Sequence, residues 1–391
     1  MKIKVLSLLI FFMMIPFSLY SQGKFNLKTE VVTDATSRLS AISQRYSMAI
    51  KEKPPSVKDA PKVSDKAFYY NIQLCGKDIY LVIDYNVTNP PLYIDTNADG
   101  KLDDEKPITG TDMNNRTRYM PVKIKPAGAS EINIGIDTPK GGGYIYYFPS
   151  EIKRGDVKFG NETFSLMIID RNYNRRYNDF SKDVRGLDYD CIGIDLNRNG
   201  MLDSSVESDE TSPLAEAVFI NGDYYSIIPS ADGNSVEIKT IKPATGTLDV
   251  QNADMEISTY SRWGAQTLTG SNGKWKLPEG KYTTRLIRLK KKDEKGREWI
   301  LTSYSFYDSK LASFDITSGK TTVIPAGAPL KIKTTAIMRD DFIEISASFL
   351  GRAGEQYSSG PVIDGQRPEP PKFKIVDRDN KELVSGAFQY G

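Results

Sequence analysis

The chain has 391 residues, with no histidine, two cysteines, and 52 lysines and arginines against 50 acids. The missing imidazole excludes Ser-His-Asp and Cys-His catalysis and any zinc site that uses histidine, and two thiols are too few for a cysteine-built structural zinc site. A near-zero net charge lacks the basic excess of a nucleic-acid-binding protein.

Residues 1–21 read as a signal peptide. Lys2 and Lys4 give a positive start, Val5 to Phe17 is apolar apart from Ser7, and Leu19-Tyr20-Ser21 places a small residue before Gln22. The apolar run is short for a membrane span of ~20 residues, and no later stretch approaches that length. The expectation is an exported mature chain without a transmembrane segment. No cysteine near Gln22 suggests a lipid anchor. Residues 22–66 are expected to hold a short N-terminal helix and a linker. Leu39, Ile42, Tyr46 and Ile50 recur at roughly helical spacing, and Pro54-Pro55 stops the helix. Cys75 and Cys191 have two open readings in an exported protein, one disulfide or two small buried hydrophobes.

From Phe68 onward, short β-branched and aromatic runs alternate with Gly, Pro, Asn and Asp, which predicts an all-β fold. Two runs flank Gly76-Lys77, a hairpin signal. Asn221-Gly222-Asp223 and Asp232-Gly233-Asn234 are further tight turns. Leu81-Val82-Ile83-Asp84-Tyr85-Asn86 is similar to Met167-Ile168-Ile169-Asp170-Arg171-Asn172. In each copy a second strand follows and ends in an acidic loop. The loops are Asp95-x-Asn97-x-Asp99-Gly100-x-x-Asp103 and Asp195-x-Asn197-x-Asn199-Gly200-x-x-Asp203. Residues 67–245 are therefore expected to form one duplicated β domain.

These loops have the chemistry of a calcium site. Calcium takes roughly six to eight oxygens. Side chains at loop positions one, three and five converge only if the backbone turns sharply, which Gly100 and Gly200 permit. The expected ligands are Asp95, Asn97, Asp99, the carbonyl of Lys101, and Asp103. In the second loop they are Asp195, Asn197, Asn199, the carbonyl of Met201, and Asp203. Leu102 is expected to point inward and pin the first loop to the core. A third, degenerate loop offers Asp170, Asn172 and Asn174, with Asn178 and Asp179 at calcium-like offsets and Arg175 where the glycine would stand. Without a metal, the same residue types make ordinary Asx turns.

The loops resemble the calcium loops of EF-hands, dockerins and thrombospondin type-3 repeats. They depart from the EF-hand at position twelve, where Lys106 and Val206 replace the bidentate glutamate. Pro90, Pro91 and Pro107 also exclude flanking helices around the first loop. The resemblance implies strand-borne structural loops without the opening motion of sensor proteins.

Beyond Thr245, Gly273-x-Trp275-x-Leu277-Pro278-x-Gly280-x-Tyr282 resembles the strand-turn-strand of small β-sandwich modules, with Trp275 and Tyr282 in the core. Residues 246–306 are expected to form such a module, and 307–391 an Ig-like sandwich. The lysine-rich start and Ser-Gln cleavage site resemble cell-envelope proteins of the Bacteroidetes type. The expected function is an exported calcium-binding structural or binding protein, in the periplasm or at the cell surface, with an unidentified protein or glycan as partner. Two alternatives stand beside it. Tyr144 to Phe148 can be an aromatic platform for a carbohydrate or peptide, although strand tyrosines more often pack across strands. Asp188 and Asp190 can be the carboxylate pair of a glycoside hydrolase, although turn or metal roles explain them more simply.

Overall fold

The computed structural model describes residues 21–34, 39–128, 130–181, 188–205, 208–304, 309–340, 342–357 and 359–389. The expected signal peptide lies outside them apart from Ser21. Cys75 and Gly76 both hold left-handed backbone, with φ of 50° and 71°. They form the two-residue turn whose twist suits a hairpin, and Ala67–Leu74 pairs through it with Lys77–Asp84. Pro91–Ile94 and Ile108–Thr109 extend this sheet. A second sheet contains Arg116–Ile124, Ile132–Pro139 and Tyr144–Pro149, with Thr111–Asp112 at one edge and Arg45–Met48 at the other. Alternation along the strands turns Tyr70, Ile72, Leu81 and Ile83 toward Val122, Ile134, Ile136 and Ile145 in one buried core.

Residues 151–241 repeat this plan. The hairpin of Glu151–Phe159 and Glu162–Ile169 is followed by Cys191–Ile194 and Thr211–Pro213. The facing sheet is Ala217–Ile220, Asp223–Pro229 and Ser235–Ile241. Strand order is the same in both units. Val157, Leu166 and Ile192 meet Ile220, Ile227 and Ile238 in the second core. The correspondence reaches single hydrogen bonds. Asp95 donates its N–H to the carbonyl of Tyr80, and Asp195 donates to that of Ser165. Tyr80 and Ser165 are each the fourth residue of the hairpin's second strand.

The N-terminal segment differs from the expected helix and linker. Its helix is confined to Leu39–Ser43, and Arg45–Met48 is a strand. The helical spacing of Tyr46 and Ile50 is overridden by edge pairing with Tyr144 to Tyr147. Next to this strand, Ile50 bridges Tyr69 in the opposite sheet. Ser21–Asn26 and Lys28–Val31 do the same for the second unit, pairing with Ser235–Ile241 and with Glu151–Arg154. Each sandwich is thus closed by a segment that crosses between its sheets. The segment closing the second sandwich precedes the whole first sandwich, so the two units are interlaced.

Residues 245–363 form one further sandwich rather than parts of two modules. Thr245–Asp249, Lys274–Pro278 and Thr321–Val323 make one sheet, and Met255–Ser261, Gly280–Lys292 and Glu298–Ser303 are central to the other. The expected boundary at 306/307 lies outside the described residues. Pairing nonetheless joins its two sides, since Ser313–Ile316 binds Gly280 to Thr283. Trp275, Tyr282, Phe314 and Tyr357 share a core. Pro278 to Gly280 is a corner between sheets, not a hairpin turn. The hairpins Lys331–Arg339/Phe342–Leu350 and Lys372–Val376/Glu382–Ala387 are largely exposed additions to this sandwich. Cys75 and Cys191 are free thiols, so the disulfide does not form. Each thiol instead donates to a carbonyl, that of Tyr173 at 2.9 Å and that of Ile42 at 3.7 Å. No helix among the described residues is long and apolar enough to cross a membrane.

Gly155 shows how closely the interlacing segment is seated. A Cβ there would lie 2.5 Å from the carbonyl oxygen of Asn26 and 2.9 Å from Leu27 Cδ2. Gly155→Val should cost about 1–3 kcal/mol through overpacking and expose residues 21–34 to proteolysis. Urea unfolding combined with mapping of the first cleavage checks this. An unchanged midpoint with no cleavage in that segment would refute it.

Candidate metal centre

Strand Pro91–Ile94 ends at Asp95, which is only 1% exposed. A carboxylate buried there needs donors, and the chain supplies them by folding back over it. Asp95 Oδ1 accepts from the N–H of Asp99 at 3.1 Å, and Oδ2 from that of Gly100 at 2.8 Å. Asn97 Oδ1 also accepts from Asp99 N–H at 2.9 Å, and Asp99 Oδ1 accepts from Lys101 N–H at 2.9 Å. Ala98 and Gly100 take left-handed backbone, at φ 61° and 85°, to allow this.

The Asp195 loop repeats the pattern bond for bond. Asp195 accepts from Asn199 N–H at 3.1 Å and Gly200 N–H at 2.9 Å. Asn197 Oδ1 accepts from Asn199 N–H at 2.9 Å, and Asn199 Oδ1 from Met201 N–H at 2.8 Å. The third loop, degenerate in sequence, has the same shape. Asp170 accepts from Asn174 N–H at 3.2 Å and Arg175 N–H at 2.8 Å. Asn172 and Asn174 accept from the N–H groups of Asn174 and Arg176, at 3.1 and 2.8 Å. Arg175 adopts the glycine conformation at φ 64°, and its guanidinium is held by Glu151 at 3.0 Å. At the corresponding strand end of the first unit, Asp84 makes no such loop and accepts from Ser64 N–H at 2.9 Å.

The structure therefore brings together the residues at positions one, three and five of all three loops. It separates others. Asp103 is exposed and joins none of these bonds. Asp203 turns to Ser205, accepting from its N–H at 2.9 Å and its hydroxyl at 3.2 Å. Lys101 and Met201 are tied in through their N–H groups. Leu102 is fully buried as expected, packed with Val57 and Val82.

Two glutamates outside the expected ligand set hold the loop backbones. Glu105 Oε1 accepts from Thr96 N–H at 2.6 Å and Thr96 hydroxyl at 2.7 Å. Glu210, 5% exposed, accepts from Asn197 N–H at 3.1 Å and Asp203 N–H at 2.8 Å, clamping the second loop at two points. The missing position-twelve acid is thus met by glutamates elsewhere that bind loop backbone. Glu105 stands two residues after Asp103 in the sequence, whereas Glu210 stands seven after Asp203; Val206 itself lies outside the described residues.

Burial raises the Asp95 carboxyl above its ordinary range against the pull of its N–H donors, and the charge of Asp99 adds to the rise. Asp170 is pushed up to about 6, again chiefly by burial. An ionised carboxylate offers about four lone-pair positions, so the two N–H donors on Asp95, Asp170 and Asp195 leave oxygen capacity for a cation. Among the described residues no three Asp, Glu or Cys side chains gather into a metal-holding group. A cation in these loops would draw on amide and carbonyl oxygens as well as carboxylates, a donor set that suits calcium rather than a soft metal.

The alternative sites divide. Tyr144 and Tyr146 face outward with ring centroids 5.2 Å apart, beside Tyr46 and Met48 of the edge strand, while Ile145, Tyr147 and Phe148 are core. Asp188 is exposed, whereas Asp190 is wholly buried and accepts from Asp179 N–H at 2.9 Å. The two therefore do not share one open cleft. No protein-family model matches the chain, and no curated protein or solved structure matches it significantly.

Removing the Glu210 carboxylate would strand two N–H groups at the base of the second loop. Glu210→Ala should cost about 1–3 kcal/mol and loosen that loop in hydrogen exchange. Unchanged urea unfolding and unchanged protection of residues 195–203 would rule out the clamp.

Proposed function

We propose that this chain is an exported calcium-binding structural protein, in which calcium stiffens the acidic loops of a duplicated β scaffold. The observation that carries the proposal is the threefold repetition of one loop geometry at strand ends, with a buried aspartate at its root. A plain Asx turn needs one such side chain. Each of these loops arranges three, and in the first of them two like charges, Asp95 and Asp99, act on each other. A cation between them would offset that repulsion. Export rests on the basic and apolar first 21 residues. Outside the cytoplasm, modules commonly bind calcium at about 10⁻⁴ to 10⁻³ M, so weak sites suffice there. The ion would fix loop shape rather than perform chemistry.

Melting curves of the full chain in calcium and in chelator test this. A ligand that binds only the folded state at a hundredfold excess over Kd adds about 2.7 kcal/mol. The midpoint should rise with calcium, far-ultraviolet dichroism should stay nearly the same, and magnesium should substitute poorly because it keeps its waters. Identical midpoints at millimolar calcium would return the loops to ordinary turns.

The outward aromatic face supports a second role, in binding a glycan or peptide at the cell envelope. Tyr46 is 68% and Met48 62% exposed, on an edge strand beside Tyr144 and Tyr146. Rings exposed in a row can stack on sugars or apolar side chains. Tyr46→Ala combined with Tyr146→Ala should abolish capture on a glycan or peptide array without lowering the melting point. Capture that persists would remove this face from consideration.

A further inference from the structure

The Asp170 loop differs from the other two in what stands behind it. Ile169 and Cys191 are paired across the sheet, so Asp170 and Asp190 emerge at the same sheet end. Asp179 sits between them. Its Oδ2 accepts from Asn172 Nδ2 at 2.9 Å and Asn174 Nδ2 at 2.6 Å, while its backbone exchanges two 2.9 Å hydrogen bonds with Asp190, N–H to Oδ2 and carbonyl to N–H. Asp190 is 0% exposed, and its Oδ1 has no hydrogen-bond partner among the described residues. The charges of Asp170 and Asp179 bear on its carboxyl group, to which the N–H of Arg171 donates alongside that of Asp179. Among the described residues, Arg175 pairs with Glu151 at 3.0 Å and Arg171 lies over the Tyr189 ring at 4.7 Å.

A wholly buried carboxylate with an unpartnered oxygen, within the field of Asp170 and Asp179, is costly unless a proton or a cation compensates it. We propose that a divalent hard cation, calcium by its all-oxygen donors, binds between the Asp170 loop and Asp190, with Asp190 as the ligand that closes the site. This rests on the calcium proposal above and adds a centre of a different kind. All three loops have an exposed residue at position five, Asp99, Asn199 and Asn174. The third also has Asp190, wholly buried at the same sheet end. It should therefore be the tightest of the three and clasp the long 170–190 connection, which has no counterpart of that length in the first unit. The competing arrangement is a proton resident on Asp190.

Calcium titration of the full chain by calorimetry separates these. Wild type, Asp190→Asn and the double variant Asp95→Ala/Asp195→Ala would be compared, with folding confirmed by dichroism. Asp190→Asn is isosteric and keeps an acceptor for Asp179 N–H. The expected result is three equivalents for wild type. The tightest is weakened at least tenfold by Asp190→Asn and retained in the double variant. In chelator Asp190→Asn should melt no lower than wild type, because it removes a buried charge, and in calcium it should melt lower. If Asp190→Asn leaves every affinity unchanged, or if the double variant binds no calcium while wild type binds two equivalents, the third centre is refuted and the two loop sites stand. If wild type binds none, both proposals fall.

Discussion

A carboxylate buried at the end of a strand dictates much of this molecule. The sheet has used the N–H of Asp95 and Asp195 for cross-strand pairing, but it offers nothing to their side chains. Both oxygens need donors inside the protein, and the nearest are the N–H groups of the next residues along the chain. Collecting the fourth and fifth of these forces two left-handed residues into a short span. The side chain at position three then turns in to serve the N–H of position five, and that at position five serves the N–H of position seven. The outcome is a tightly hydrogen-bonded loop that holds the side-chain oxygens of positions one, three and five, produced by hydrogen-bond accounting before any ion is considered. Whether glycine or arginine stands at the sixth position changes the cost of the turn, of order 1 kcal/mol, and not its shape.

The same strand ends explain why duplication and interlacing belong together. Each unit has a hairpin, a third strand ending in an acidic loop, and a facing three-stranded sheet, and each leaves one open edge per sheet. Open edges invite pairing with other chains. A crossing segment covers both edges at once, as Ser21–Asn26 and Lys28–Val31 do for the second unit. Because that segment lies ahead of the first unit, the second sandwich is complete only when the chain's beginning and residues 235–241 have met. Long-range contacts of this kind cost loop-closure entropy before they are rewarded. The first unit, whose closing strand Arg45–Met48 pairs with residues near 146, needs a shorter closure.

Local signals were legible and long-range ones were not. Turns built from Asn-Gly and Asp-Gly, the alternation that selects Ile72 or Leu81 for the core, and the acidic loops all depend on neighbours within a few residues, so they show in the letters. The shape of the Asp170 loop was partly hidden, because Arg175 breaks the glycine signal while keeping the glycine conformation. Tyr46 and Ile50 fit a helical period by spacing, yet the edge of a distant strand decided their conformation. Ser313–Ile316 joins a strand thirty-odd positions earlier, which erases the boundary that composition suggested. Glu210 is the clearest case. Its partners are Asn197 and Asp203, and nothing in its own surroundings marks it as the clamp of that loop.

Counting acids along a loop is therefore a poor guide to how strongly that loop would hold a cation. By position alone, the first loop leads with Asp95, Asp99 and Asp103, and the third trails with Asp170 and two asparagines. In three dimensions Asp103 points to solvent, where water screens its charge. The third loop gains Asp179, half-buried beyond its turn, and Asp190, wholly buried ahead of the next strand, where neither screening nor hydration helps it. Charge in water adds little to an ion's binding, whereas charge already stripped of water has paid its desolvation in folding and has only the ion left to gain. The strand pairing of Ile169 with Cys191 is what places that charge. On the proposal of a third centre, cation affinity in these loops would depend on the sheet behind the loop as much as on the loop itself.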